Sequence, residues 1–159
     1  VYRKGGVPQA FVQDNCSRSS RGTLRGLHFQ TPPHSQGKLI SVVHGEILDI
    51  AVDIRQDSPT FGSWVAANLS DENHHQLYLP VGFAHGFLVL SEKADITYKV
   101  TAEYDRNSEL GIIWNDPDLC IDWGIVNPII SERDQGLPRL ADIDIPFKCS
   151  GTENLVGGT

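Results

Sequence analysis

The chain has 159 residues, 40% of them hydrophobic and 21% charged, with 15 glycines, 9 prolines and a formal net charge of -7. This is the length of a single domain able to bury about 68–70% of its unfolded surface, and its acidity argues against a nucleic-acid backbone as the main partner. No apolar run approaches the ~20 residues needed to cross a bilayer, so neither nucleic acid nor membrane is expected as a partner.

The opening residues, VYRKGGVPQA, do not resemble a signal peptide and begin with Val; the chain is expected to start inside a longer protein. The stretch LRGLHFQ, residues 24–30, places a histidine between bulky apolar residues. As a strand it would put Leu24, Gly26, His28 and Gln30 on one face and Arg25, Leu27 and Phe29 on the other. Packing alone would ask for valine or leucine at position 28. KLISVVHGEILDIAVDIR then reads as two strands meeting at Gly45. In the second, Leu48, Ile50, Val52 and Ile54 point one way and Ile47, Asp49, Ala51 and Asp53 the other. DSPTFG is a turn, and SWVAANL, HHQLYLP, GFLVL, ADITYKVT and LGIIW are further strands.

Only SDENHHQL (residues 70–77) and SERDQG (residues 131–136) read as helical, and both are short. Closely spaced strands with so few helices predict an all-β fold, an antiparallel double-sheet sandwich or jelly roll. No repeat or linker divides the chain, so residues 1–148 are expected to form one domain. The polar, glycine-rich residues 149–159 are expected to form a loosely held tail. Cys16, Cys120 and Cys149 are an odd, widely spaced set without CxxC, which points to a reduced, cytoplasmic protein.

The six histidines are His28, His34, His44, His74, His75 and His85. A metal-binding β-barrel commonly offers His-x-His on one strand with a carboxylate nearby. Here Gln30 and Gly26 flank His28 at two residues, His34 follows a Pro-Pro turn, and His74 and His75 are adjacent. No metal is expected. A lone strand histidine can be a hydrogen-bonded core residue, but Arg25 before His28 and Lys38 after it bracket the position with cations. An unperturbed imidazole, pKa about 6.5, accepts a proton at neutral pH. In YLPVGFAHGF, Pro80 and Gly82 fix a turn, and Gly86 beside His85 admits a ligand or another backbone; a plain hairpin reads equally well. Tyr98 in DITYKV is ordinarily a packed ring, yet opposite a histidine its hydroxyl could donate a proton.

Together, FVQDNCSRSSRGTLRGLHFQ, QGKLISVVHGEILDIAVDIRQDSPTFG, LYLPVGFAHGFLVLSEKADITYKVTAEYD and IIWNDPDLCIDWGI closely resemble the dTDP-4-dehydrorhamnose 3,5-epimerases of the cupin superfamily. The likeness runs from about Ala10 to Ala141, with the motifs in family order. It implies a cupin-like jelly-roll homodimer that acts on a dTDP-sugar and works without a metal, and no cofactor is expected. It also implies roles: His28 as general base, Tyr98 as acid on the opposite face of the sugar, Asp134 as the carboxylate orienting the histidine, and Lys38 beside the ketone oxygen. Gln13, Asp14, Asn15, Arg25, His85 and Glu109 match nucleotide- or sugar-contacting positions. Tyr104 matches the residue stacking on thymine, and Arg133 a basic residue near the ligand. Family members carry a longer leading segment that contributes to the nucleotide site.

The implied reaction inverts C3 and C5 of dTDP-4-dehydro-6-deoxy-D-glucose, whose C4 ketone acidifies both neighbouring carbons. An epimerase acting on only C3 or C5 of a related sugar fits the same motifs. A metal-dependent cupin enzyme and a non-catalytic sugar-binding jelly roll are the readings from other classes.

Overall fold

The computed structural model describes residue 7 and residues 10–149; the tail expected over residues 149–159 lies, Cys149 apart, outside the described residues. Along the chain the strands are β1 (Gln13–Ser20), β2 (Leu24–Gln30), β3 (Lys38–His44), β4 (Glu46–Asp53), β5 (Trp64–Ser70), β6 (Gln76–Leu79), β7 (Phe83–Val89), β8 (Lys93–Val100) and β9 (Glu109–Gly111). A single turn of helix, α1 (Glu132–Gln135), and a 3-10 turn at Leu140–Asp142 follow. The strands form a four-stranded sheet in the order β1-β8-β3-β6 and a five-stranded sheet in the order β5-β4-β7-β2-β9. All strand pairs are antiparallel, as the short, closely spaced apolar runs predict.

The alternation in β4 divides two apolar layers. Ile47 and Ala51 join Ile40, Val42, Leu79, Phe87 and Ile96 between the sheets. Ile50, Val52 and Ile54 face the other way, against Leu24, Leu27, Ile112, Trp123 and Phe147. The five-stranded sheet is therefore covered on both faces, by the partner sheet and by the chain after β9. That explains why β4 is apolar at nearly every position. At one end of the sandwich the inward positions turn polar, and a cavity replaces the packed core.

Two expectations change. Residues 70–77 are the end of β5, a turn and the start of β6, with no helix. The Asn73 side chain accepts from the Ser70 and His75 amides, at 3.1 and 2.9 Å, and donates to the Asn68 carbonyl at 2.9 Å. An asparagine that satisfies neighbouring backbone groups in this way competes directly with helical bonding. His74, at φ 52°, completes the turn.

The second change is in β2. Arg25 pairs with Phe87 and His28 with His85, so three steps along β2 match two along β7. This bulge moves Arg25 onto the same face as His28 and sends Leu27 into the apolar layer, overturning simple alternation. Gly26 makes it possible. It has φ +120°, and a Cβ there would lie 2.5 Å from the Gly86 Cα and 2.6 Å from the His85 oxygen.

Candidate active site

The polar end of the sandwich encloses a cavity of about 240 Å³. Its wall on the five-stranded side carries Arg25, His28, His85 and Phe87; the four-stranded side supplies Asn15, Ser17, Lys38 and Tyr98. Tyr104, Glu109 and Arg133 line it as well.

His28 donates from Nε2 to Asp134 Oδ1 at 2.8 Å, leaving Nδ1 without a protein partner among the described residues. Asp134 reaches this place from α1 because the chain at Ile129 bridges to Thr23 just before β2. Ser131 then caps the helix, accepting from the Asp134 amide at 3.1 Å. The second carboxylate oxygen accepts from the Gly26 amide at 3.2 Å. Burial works to raise the Asp134 carboxyl. The hydrogen bond and charge of His28, the Gly26 amide and Arg133 outweigh it and hold the carboxyl below its usual range. An ionised Asp134 fixes the imidazole proton on Nε2 and makes Nδ1 the basic lone pair.

Lys38 places its ammonium 3.4 Å from the His28 carbonyl oxygen. Removal from water pushes it down to about 8, against the opposing pull of Glu109 and Asp49. Burial likewise raises the Tyr98 hydroxyl, with Arg25 opposing and Glu109 and Cys16 adding. It therefore remains a proton donor at neutral pH.

At the rim, Glu109 Oε2 takes the Arg133 guanidinium at 2.6 Å and the Tyr104 hydroxyl at 2.7 Å. Burial works to raise Glu109, but these two hydrogen bonds and the charges of His28 and Arg133 hold it below the usual carboxylate range. The remaining candidates divide. Asn15, Arg25 and His85 line the cavity. Gln13 stands beside it, donating to Asn15 at 2.8 Å and accepting from the Tyr104 amide at 2.9 Å. Asp14 is the exception: it points to the outer face of β1 and pairs with Lys99, so it does not belong to the cavity wall.

Sequence reasoning passed over several residues. Asp49, fully buried, holds His85 Nε2 at 2.7 Å and keeps one oxygen without a partner among the described residues. An acid set between the apolar Ile47 and Ala51 on one strand face was the signal. Ser17, whose buried hydroxyl has no partner among the described residues, follows Asn15 at a spacing of two along β1. Gln30 and Gln36 also line the cavity. His34, His44, His74 and His75 do not, and His44 sits near Asp71 at the surface. Among the described residues no group of three or more His, Cys, Asp or Glu is disposed to hold a metal ion, the three cysteines are free thiols, and no helix is long and apolar enough to cross a membrane.

A histidine held by a buried aspartate opposite a tyrosine, beside a lysine and two arginines, is a set suited to moving protons next to a carbonyl on an anionic substrate. Comparison with known proteins agrees. The family model described as dTDP-4-dehydrorhamnose 3,5-epimerase matches residues 1–142. The dTDP-4-dehydrorhamnose 3,5-epimerase of Shigella flexneri is 52% identical over 134 residues, covering 84% of this chain and 74% of the relative. The crystal structure of the dTDP-6-deoxy-D-glucose-3,5-epimerase of Legionella pneumophila in complex with dTDP-4-keto-L-rhamnose superposes with a TM-score of 0.88 at 48% identity, over 93% of this chain and 80% of that one. ChmJ, a 3'-monoepimerase from Streptomyces bikiniensis solved with dTDP-quinovose, is similar at a TM-score of 0.78 and 37% identity, over 82% of this chain and 67% of its own. On the extent of the family match and the identity to its members, this chain belongs to the dTDP-4-dehydrorhamnose 3,5-epimerase family, a family of isomerases.

Proposed function

We propose that this protein inverts C3 and C5 of dTDP-4-dehydro-6-deoxy-D-glucose to give dTDP-4-dehydro-L-rhamnose. The observation that carries the reading is the His28–Asp134 pair, 2.8 Å apart, in a cavity whose other wall bears Tyr98. His28 Nδ1 takes the proton from the carbon beside the ketone, and the electron pair passes into the C4 oxygen as an enolate. Asp134 stabilises the imidazolium, and the Lys38 ammonium stabilises the enolate oxygen. The Tyr98 hydroxyl returns a proton to the opposite face, which inverts the centre; the His28 imidazolium then gives its proton to solvent and the tyrosinate takes one from it, so both groups are reset. The same cycle acts at the second carbon.

Arg25 and Arg133 supply cations for the diphosphate, where a guanidinium fork matches phosphate geometry. Asn15, Gln13, His85 and Glu109 complete the nucleotide and sugar contacts, and Tyr104 stacks on the base. The reading carries a single-domain homodimer in the cytoplasm, a setting that suits three free thiols. Its support is the family membership and the greater identity to 3,5-epimerases than to the monoepimerase.

Incubation with the substrate in deuterated water, followed by proton NMR, tests it. Loss of both the C3 and C5 signals with formation of the L-sugar is expected. Exchange and inversion at one carbon alone would make it a monoepimerase, and no exchange at either would overturn the proposal.

A further inference from the structure

Gln30 ends β2 two residues beyond His28 and is only 4% exposed. Its Nε2 donates to the His34 carbonyl at 2.7 Å and to the Glu103 carbonyl at 3.3 Å, and its Oε1 accepts from the Asp105 amide at 2.8 Å. A primary amide has two N–H donors, and both are committed to backbone. Gln30 therefore lines the cavity without a donor to offer a ligand.

Its partners are informative. The Glu103 carbonyl and the Asp105 amide belong to the two peptide groups on either side of Tyr104, and Tyr104's own amide is taken by Gln13. The Tyr104 ring remains half-exposed, at 50%. The backbone under this ring is thus held from both sides by a buried amide rooted in the catalytic strand, while the ring itself stays open to a planar partner.

We infer that Gln30 is a positioning residue for the nucleotide end of the site: it fixes the loop under Tyr104 before the ligand arrives, so that stacking on the base does not carry the cost of ordering that loop. This rests on the reading that Tyr104 stacks on the base. Its effect falls on binding of the nucleotide and leaves the proton transfers alone. It also links the two ends of the substrate, because one strand carries both the base His28 and the clamp.

The test is calorimetric titration of the full chain with dTDP, with turnover of the sugar nucleotide measured in parallel. Gln30→Met keeps the volume and removes all three hydrogen bonds; its Kd for dTDP is expected to rise about tenfold, with kcat within about twofold of the parent. In a Tyr104→Ala background the same change is expected to matter by less than about twofold, because the ring it positions is gone. An equal effect in both backgrounds, or a fall in kcat matching the rise in Kd, overturns the inference. So does an unchanged Kd in Gln30→Met while Tyr104→Ala binds weakly, a result that leaves the stacking reading intact. Undiminished binding in Tyr104→Ala overturns the stacking reading and this inference together. Amide exchange in the parent protein supplies a check independent of folding of the variants: the Asp105 amide is expected to be protected without ligand, and rapid exchange there overturns the clamp.

Discussion

His28 and Tyr98 stand on different sheets and line one cavity, His28 on β2 of the five-stranded sheet and Tyr98 on β8 of the four-stranded one. Between them the sugar ring would present opposite faces to a base and to an acid. A protein that only binds a sugar has no use for this arrangement; one that inverts a carbon requires it.

The first expectation concerns the base. His28→Ala should slow exchange of the sugar C3 and C5 protons with deuterated water by about 10²–10⁴, while dTDP binds nearly as before. Asp134→Asn keeps the shape of the partner but removes the charge that stabilises the imidazolium, so it should be slow as well and remain folded. NMR-monitored exchange reads both. Parent-like exchange in His28→Ala would remove this residue as the base.

Tyr98→Phe separates abstraction from delivery. The ring still packs, and His28 can still remove and return a proton on its own face. Exchange should therefore continue while inversion is impaired at one or both centres. Product stereochemistry by NMR decides, and unaltered epimerisation would exclude the phenol as the acid.

The residues that could be read from sequence are those whose side chains obey a period. β4 announced itself through Ile47, Ile50 and Val52, because each of its faces meets an apolar layer. β1 did not. Its inward positions are Asn15 and Ser17, which line the cavity, and Ser19, which accepts from Arg25, and no hydrophobic alternation marks a strand that lines a polar site. The bulge at Gly26 hid the shared face of Arg25 and His28, since register depends on the partner strand. Asp134 lies 106 positions from His28, so the family likeness, and no local pattern, pointed to it. Asp49 is the opposite case: an acid between Leu48 and Ile50 is visible in one line of sequence, but its partner His85 is not.

Gly26→Ala tests how far the site depends on that bulge. The new Cβ meets backbone at 2.5 and 2.6 Å, and φ +120° disfavours any side chain. Overpacking and backbone strain each cost about 1–3 kcal/mol, so a loss of about 2–6 kcal/mol is expected in denaturant unfolding, along with loss of the Asp134 contact at the Gly26 amide. Parent-like stability would mean that β2 tolerates a different path.

Lys38 gives the pH dependence. Burial lowers its ammonium from the ordinary lysine value of 10.5 to about 8, so the charge that stabilises the enolate is lost as pH rises through that value. The alkaline limb of kcat/KM, which reports groups of the free enzyme, is expected near pH 8. Lys38→Arg, whose guanidinium does not titrate in this range, should move the limb upward even if the rate falls. Lys38→Met should lose about 10²–10³ in kcat at neutral pH. Stability runs the other way. Between about pH 8 and 10.5 the unfolded chain holds the lysine proton and the folded one does not, so stability rises with pH across that window. Below about pH 8 both states are protonated and the full cost of burying the charge is present. A variant that loses the limb at pH 8 and flattens this rise in stability ties both to the same ammonium. A limb that persists at pH 8 in Lys38→Arg assigns it to another group.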